Sequence, residues 1–262
     1  MLTLGYLATV LMGLALGLFG GGGSILTVPI LVYFFGLEPV LAGTYSLFLV
    51  GLTAAVGAAN AIRRRRVDAR RGFAFALPGL LGVVAVRRGL LPALPEDLLH
   101  LGAWHLTRSG LVMSVFAVLM VLAAATLLRP GPARPARARP GALGFALRGL
   151  AIGALTGFVG AGGGFLITPA LIAFARLPLA TAAGTSLFVL AMNGMLAFAA
   201  DAAELATLDW RLLGALSVIA LAGIFAGAEL AQRVPEARLK RAFGIFVLVT
   251  GSLILAQQML RS

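Results

Sequence analysis

Ten apolar segments make up most of the chain, and they restrict it to very few folds. In the first half they run over about Leu2–Phe19, Ser24–Phe35, Val40–Ile62, Gly72–Val86 and Ser109–Leu128. In the second half they run over about Leu143–Val159, Phe165–Ala175, Ala180–Ala200, Leu212–Ala228 and Ala242–Ala256. Backbone in lipid has no water to bond, so such segments are expected to be helices. Composition agrees, because 60% of the 262 residues are apolar and only 11% are charged, against about 45–50% and about 25% in soluble domains. The expectation is an all-α polytopic membrane protein.

The net charge of +12 would suggest a nucleic-acid partner in a soluble protein. Here the arginines sit in loops between apolar segments, as the positive-inside rule requires. The expected partners are therefore a lipid bilayer and a small ligand, with no nucleic acid. There is no cysteine, so disulfide and thiolate chemistry are excluded. The N-terminal "MLTLGYLATVLMGLALG" lacks a basic n-region and is read as part of the mature chain.

The chain also writes one pattern twice. "GLFGGGGSILTVPILV" at Gly17–Val32 returns as "GFVGAGGGFLITPALI" at Gly157–Ile172. Further matches follow in order: Pro29 with Pro169, "SLF" at Ser46–Phe48 with "SLF" at Ser186–Phe188, "VDAR" at Val67 with "LDWR" at Leu208, and "LPED" at Leu94 with "VPEA" at Val234. This is an internal duplication, with repeats at 1–128 and 143–262 and a Pro/Arg-rich cytoplasmic linker at 129–142. The first repeat carries an extra stretch around Leu99–Arg108.

Charge orients the repeats. The loop Arg63–Arg71 holds six arginines and one aspartate, and the linker is also basic, so both belong inside. The matching loop of the second half, "DAAELATLDWR" at Asp201–Arg211, is mostly acidic and reads as external. An odd number of crossings per half follows, hence inverted repeats with both termini outside, a common secondary-transporter plan. The alternative is a parallel repeat of four spans, in which each glycine knot merely kinks a long helix. The segments after the knots are too short to span, so each knot is either a re-entrant hairpin or a full span followed by a short helix.

Glycine is a poor helix residue, and a knot of them inside the membrane exposes backbone N–H groups at the positive end of the next helix. That arrangement binds anions. The candidate substrate-binding residues are Gly20, Gly21, Gly22, Gly23 and Ser24 in the first knot and Gly160, Gly162, Gly163 and Gly164 in the second. Ser24 stands where an N-cap would. Thr44 and Ser46 in "AGTYSLF", Thr185 and Ser186 in "AAGTSLF", and Asn193 add hydroxyls and an amide. Gly13, Gly17, Gly153 and Gly157 read instead as small-xxx-small packing faces.

Some classes are disfavoured. There is no G-x-S-x-G, no H-E-x-x-H and no intramembrane Asp pair, so an enzyme is not expected. His100 and His105 lack a companion ligand set, so neither a metal nor another cofactor is expected. Glu229, with Arg87 and Arg88, reads as snorkelling to the interface. A secondary carrier of small anions is the leading reading, with an anion channel, or a carrier of a non-sulfur organic anion, as the alternative.

The paired "GxxGxGGG…P" knots, the "GTS" elements and the "VDWR"-like loops resemble the TauE/SafE family of sulfite exporters over essentially the whole chain. The resemblance implies carriage of sulfite, an organosulfonate or a related oxyanion across the bacterial cytoplasmic membrane by a multi-pass transporter. It also implies eight spans, which conflicts with the crossing count from charge. Two features depart from the family pattern. Tyr45 intervenes in "GTYS", putting the two hydroxyl sets one residue out of register, and the stretch near His100 is extra.

Overall fold

The computed structural model describes residues 2–101, 104–128, 141–160, 163–201, 208–230, 233 and 235–261. Helix α1 (Leu2–Phe19) leads through a 3-10 helix (Gly20–Leu26) into α2 (Thr27–Phe35), and then α3 (Pro39–Arg63) follows. Next, α4 (Ala69–Val84) continues through a π-helical turn (Ala85–Leu90) into the short α5 (Leu91–Ala93). Strands β1 (Asp97–Leu101) and β2 (Trp104–Thr107) precede α6 (Arg108–Leu128). The second half comprises α7 (Ala142–Val159), α8 (Gly164–Ala175), α9 (Leu179–Ala200), α10 (Trp210–Leu230) and α11 (Glu236–Arg261). Every apolar segment of the sequence is a helix. Among the described residues the one non-helical element is the antiparallel β1–β2 hairpin, with His100 opposite His105, and it occupies the extra stretch of the first half.

Among the described residues, α3, α4 with its continuation to Ala93, α6, α7, α9 and α10 are long and apolar enough to cross a membrane, and shorter apolar stretches lie in α1, α2 and α11. Large apolar side chains on α1 (Leu4, Leu7, Leu11), α10 (Val218, Phe225) and α11 (Val249, Leu253) are exposed, as lipid-facing positions should be. Helix starts are set locally. Glu38 caps α3, accepting from the N–H groups of Val40 and Leu41, with Pro39 at the first position. Asp68 and Asp209 cap α4 and α10 through Arg71 N–H and through the N–H groups of Arg211 and Leu212. Gly36, left-handed at φ 71°, closes α2.

Each knot turns its chain back. The Tyr6 ring meets Phe35 edge-on at 5.4 Å, so the end of α2 returns to the level where α1 began. In the second half the Arg148 guanidinium lies 4.1 Å from the centre of the Phe174 ring, so α8 returns along α7. Both pairs are helical hairpins, and the chain leaves each on the face by which it entered.

The helices then exchange partners between halves. Helix α1 packs on α10 and its counterpart α7 on α4, while α3 packs on α9 and α6 on α11. Glycines form the first two seams: Gly13 faces Gly223 and Gly17 faces Gly227, while Gly153 faces Gly79 and Gly157 faces Val83. A methyl group on Gly13, Gly17, Gly153 or Gly157 would collide with the facing backbone, the close approach that small-residue seams permit. The matching order of contacts makes α1 parallel to α10 and α7 parallel to α4. Gly51 lies against Gly194, and Gly57 against Leu187, so α3 and α9 are antiparallel. Consequently α3 and α9 end at opposite faces, and α1 and α7 enter from opposite faces.

Candidate functional site

The two knots differ in backbone. Gly20, Gly21, Gly22 and Gly23 form a 3-10 helix with no left-handed residue, so the chain there is overwound rather than broken. Ser24 does not cap a helix; its hydroxyl donates to the Gly21 carbonyl at 2.9 Å, and α2 begins only at Thr27. The reason is that tight 3-10 turns carry the helix through the knot and bring that carbonyl within reach. In the second knot Gly160 and Gly163 are left-handed, at φ 74° and 71°, and α8 starts afresh at Gly164. Only there does a true helix N-terminus begin within the knot. Gly162 lies outside the described residues.

The knots touch. A methyl on Gly21 would fall 2.8 Å from the Gly164 Cα and 2.5 Å from the Ser186 hydroxyl oxygen, so glycine is required at this crossing. Gly160 instead sits beside Gly43 at the start of α3. Gly23 presses on the backbone of Ala15 and Leu16, and Gly163 on the Thr156 side chain, so these two hold their own hairpins together.

The hydroxyls sort into two groups. Thr185 accepts from the Asp68 N–H at 2.9 Å, and Tyr45 accepts from the Asp209 N–H at 2.6 Å. Tyr45 and Thr185 each immediately precede "SLF", and each holds the capping aspartate of the other half. Tyr45 is thus the counterpart of Thr185, and the apparent slip of register disappears. Thr44 is engaged too, accepting from Arg87 Nη2 at 2.7 Å and donating to Asp201 Oδ2 at 3.0 Å.

Ser46 and Ser186 are different. Both are fully buried, and neither hydroxyl has a hydrogen-bond partner among the described residues. The same is true of the Asn193 carbonyl oxygen and the Thr168 hydroxyl. Orphaned buried polar atoms are uncommon and call for a reason. Asn193 stands away from the crossing, with its amide nitrogen facing Gly79 of α4. Thr168 escaped the sequence reading because its first-half counterpart is an apolar valine.

Arg87 does not snorkel. Its Nε lies 2.6 Å from Asp201 Oδ2, and both side chains are almost entirely buried, at 4% and 6% exposure. Arg88 is exposed and donates from Nε to the Ala200 carbonyl at 2.8 Å, while the exposed Glu229 pairs with Arg233 at 3.3 Å. A lone charge in a membrane segment needs a partner. Asp201 supplies it because α9 ends at the level that α4 reaches. Arginine within the apolar run "VVAVRRGLLP" was the available signal, but sequence alone does not give the partner.

Comparison with known proteins finds relatives along most of the chain. The family model described as "Sulfite exporter TauE/SafE" matches residues 5–254. A "Probable membrane transporter protein" from Xylella fastidiosa strain 9a5c is 31% identical over 245 residues, covering 91% of this chain and 88% of that protein. A protein of the same description from strain Temecula1 is 32% identical with the same coverage. No solved structure matches.

Proposed function

The chain belongs to the sulfite exporter TauE/SafE family of membrane transporters, and on that premise we propose that it carries a small sulfur-containing anion across the bacterial cytoplasmic membrane by alternating access. The observation that carries this reading is the matched pair Ser46 and Ser186. Each is a buried hydroxyl without a partner on a helix that passes a knot, and Ser186 faces the crossing of Gly21 and Gly164. Hydroxyls and glycine N–H groups at the start of α8 suit an oxyanion that must bind and then leave, since they donate without fixing a permanent opposite charge.

The two halves act as inverted repeats in this account. Entry of α1 and α7 from opposite faces supports that arrangement, as does the exchange of α1–α10 for α7–α4. Re-entrant hairpins and three full crossings per half then reconcile the charge pattern of the loops with short helices after each knot. Rocking of one repeat against the other would expose the crossing to each face alternately. An anion leaving a cell that is negative inside gains about 2.3 kcal/mol per charge per 100 mV, enough to drive export without a coupling ion.

Proteoliposomes test the reading. Radiolabelled sulfite, thiosulfate, sulfoacetate and sulfate are offered with and without unlabelled anion inside. Saturable uptake of one sulfur anion, accelerated by internal anion, is expected of a carrier. Uptake without such acceleration would favour a channel, and no uptake of any of them would refute the substrate class.

A further inference from the structure

The buried pair Arg87–Asp201 falls on two alanines when the halves are exchanged, and the one in the place of Arg87 borders a cleft. Arg87 and Ala228 stand equally far behind the capping aspartates Asp68 and Asp209. Asp201 stands as far behind Ser186 as Ala61 does behind Ser46. Exchanging the halves therefore sets Ala228 and Ala61 where Arg87 and Asp201 sit. Ala61 is buried and packs against Gly184 of α9, whereas Ala228 lines a cleft of about 460 Å³, together with Val56, Asn60, Arg63, Arg64 and Glu229 among others. Because α3 and α9 are antiparallel, the ion pair and the cleft lie at opposite faces.

We propose that the Arg87–Asp201–Thr44 network is a latch that shuts the transport path at one face, and that the cleft is the path's open mouth at the other, where Arg63 and Arg64 attract a small anion. This rests on the transporter reading above. Each mouth adjoins a knot or the helix that leads into one. Gly160 of the second knot sits against Gly43, and a methyl on Gly43 would lie 3.0 Å from Arg87 Nη1. At the open mouth, Gly17 of α1 packs on Gly227 and on Ala228 of the cleft wall.

The electrostatics of the cleft favour an anion. Glu229 is held by Arg233, and neither Arg63 nor Arg64 belongs to an ion pair among the described residues. The latch has matching chemistry: Asp201 presents to the Arg87 guanidinium the oxygens that an oxyanion would present. An anion arriving from the crossing can displace that carboxylate and release the latch, so the latch and its cargo compete for one cation. The π-helical turn that carries Arg87 is a form of helix often found at functional sites.

The chain has no cysteine, so single-cysteine labelling is direct. Val56→Cys reports on the cleft, and Ser46→Cys, buried two residues beyond Thr44 on the same helix, reports on the latched side. With the latch intact, membrane-impermeant maleimide is expected to label Val56→Cys from the arginine face and to leave Ser46→Cys unlabelled from either face. Asp201→Ala should expose Ser46→Cys to the opposite face and slow labelling of Val56→Cys. The double variant Arg87→Ala/Asp201→Ala, which strands no buried charge, should do the same even if the single variant fails to fold. If Ser46→Cys stays protected in the folded double variant while Val56→Cys labels at its original rate, the pair is only a structural tie and the latch is refuted. Arg63→Gln/Arg64→Gln should slow labelling of Val56→Cys by an anionic reagent at least about threefold relative to a neutral one at low salt. An unchanged ratio would refute the anion mouth. None of these readouts needs a cargo, so a failed latch and a failed transport assay are distinguishable.

Discussion

Asp201→Ala should be among the most destabilising single changes available in this chain. At 2.6 Å, two unit charges attract by about 6 kcal/mol at an effective dielectric constant of about 20. Burying both charges costs several kcal/mol each, so the pair itself is close to neutral. Removing one partner is another matter. Arg87 would keep, among its contacts, the bond to Thr44 at 2.7 Å and a weak one to the Val40 carbonyl at 3.4 Å, but at 4% exposure it would lose the carboxylate that lies 2.6 Å from its guanidinium. The expected loss is about 3–5 kcal/mol. Arg87→Ala should cost a similar amount, and the double variant less than either single one. The assay is titration with a denaturing detergent in mixed micelles, read as a double-mutant cycle. Single losses below about 1 kcal/mol, as for an exposed pair, with no coupling between them, would show that water reaches the pair and would refute a sealed face.

Other outcomes follow from the same geometry. Tyr45→Phe and Thr185→Val should each cost about 1–3 kcal/mol in that titration, because each strands the N–H of a capping aspartate. Their sum should hold within about 0.5 kcal/mol if the two anchors are independent. Gly21→Ala should abolish transport by forcing the knots apart at the Gly164 and Ser186 contacts. Gly36→Ala, which meets open space at φ 71°, should lose about 1–2 kcal/mol of stability and transport normally; proteoliposome flux beside the titration separates the two.

Much of this architecture is legible in the sequence because lipid leaves few choices. Length and hydropathy located the described helices apart from the short α5. Loop arginines at Arg63–Arg66 placed the end of α3 on the face opposite Asp201, and antiparallel packing of α3 on α9 agrees. What escaped was mostly pairwise. Asp201 looked like a loop acid because sequence gives no distance to Arg87, far back along the chain. Tyr45 looked like an intrusion because its partner, the Asp209 backbone, appears only when α3 meets the start of α10. The conformation of the first knot was hidden for a third reason. Four glycines can break a helix or overwind it, and the choice is made by packing on α8 and α9 rather than by local preference.

The central claim is that the glycine crossing, with the orphaned hydroxyls of Ser186 and Ser46, holds a sulfur-containing anion, and ligand-induced stabilisation tests it most directly. Purified protein is melted in detergent with sulfite, thiosulfate, sulfoacetate or sulfate, alongside the folded variant Ser46→Ala/Ser186→Ala. At a hundredfold excess over Kd a bound anion stabilises by about 2.7 kcal/mol. The account predicts that at least one sulfur anion gives such a shift in the native protein and that the double variant loses most of it. An equal shift in both proteins, or none in the native one, would contradict it.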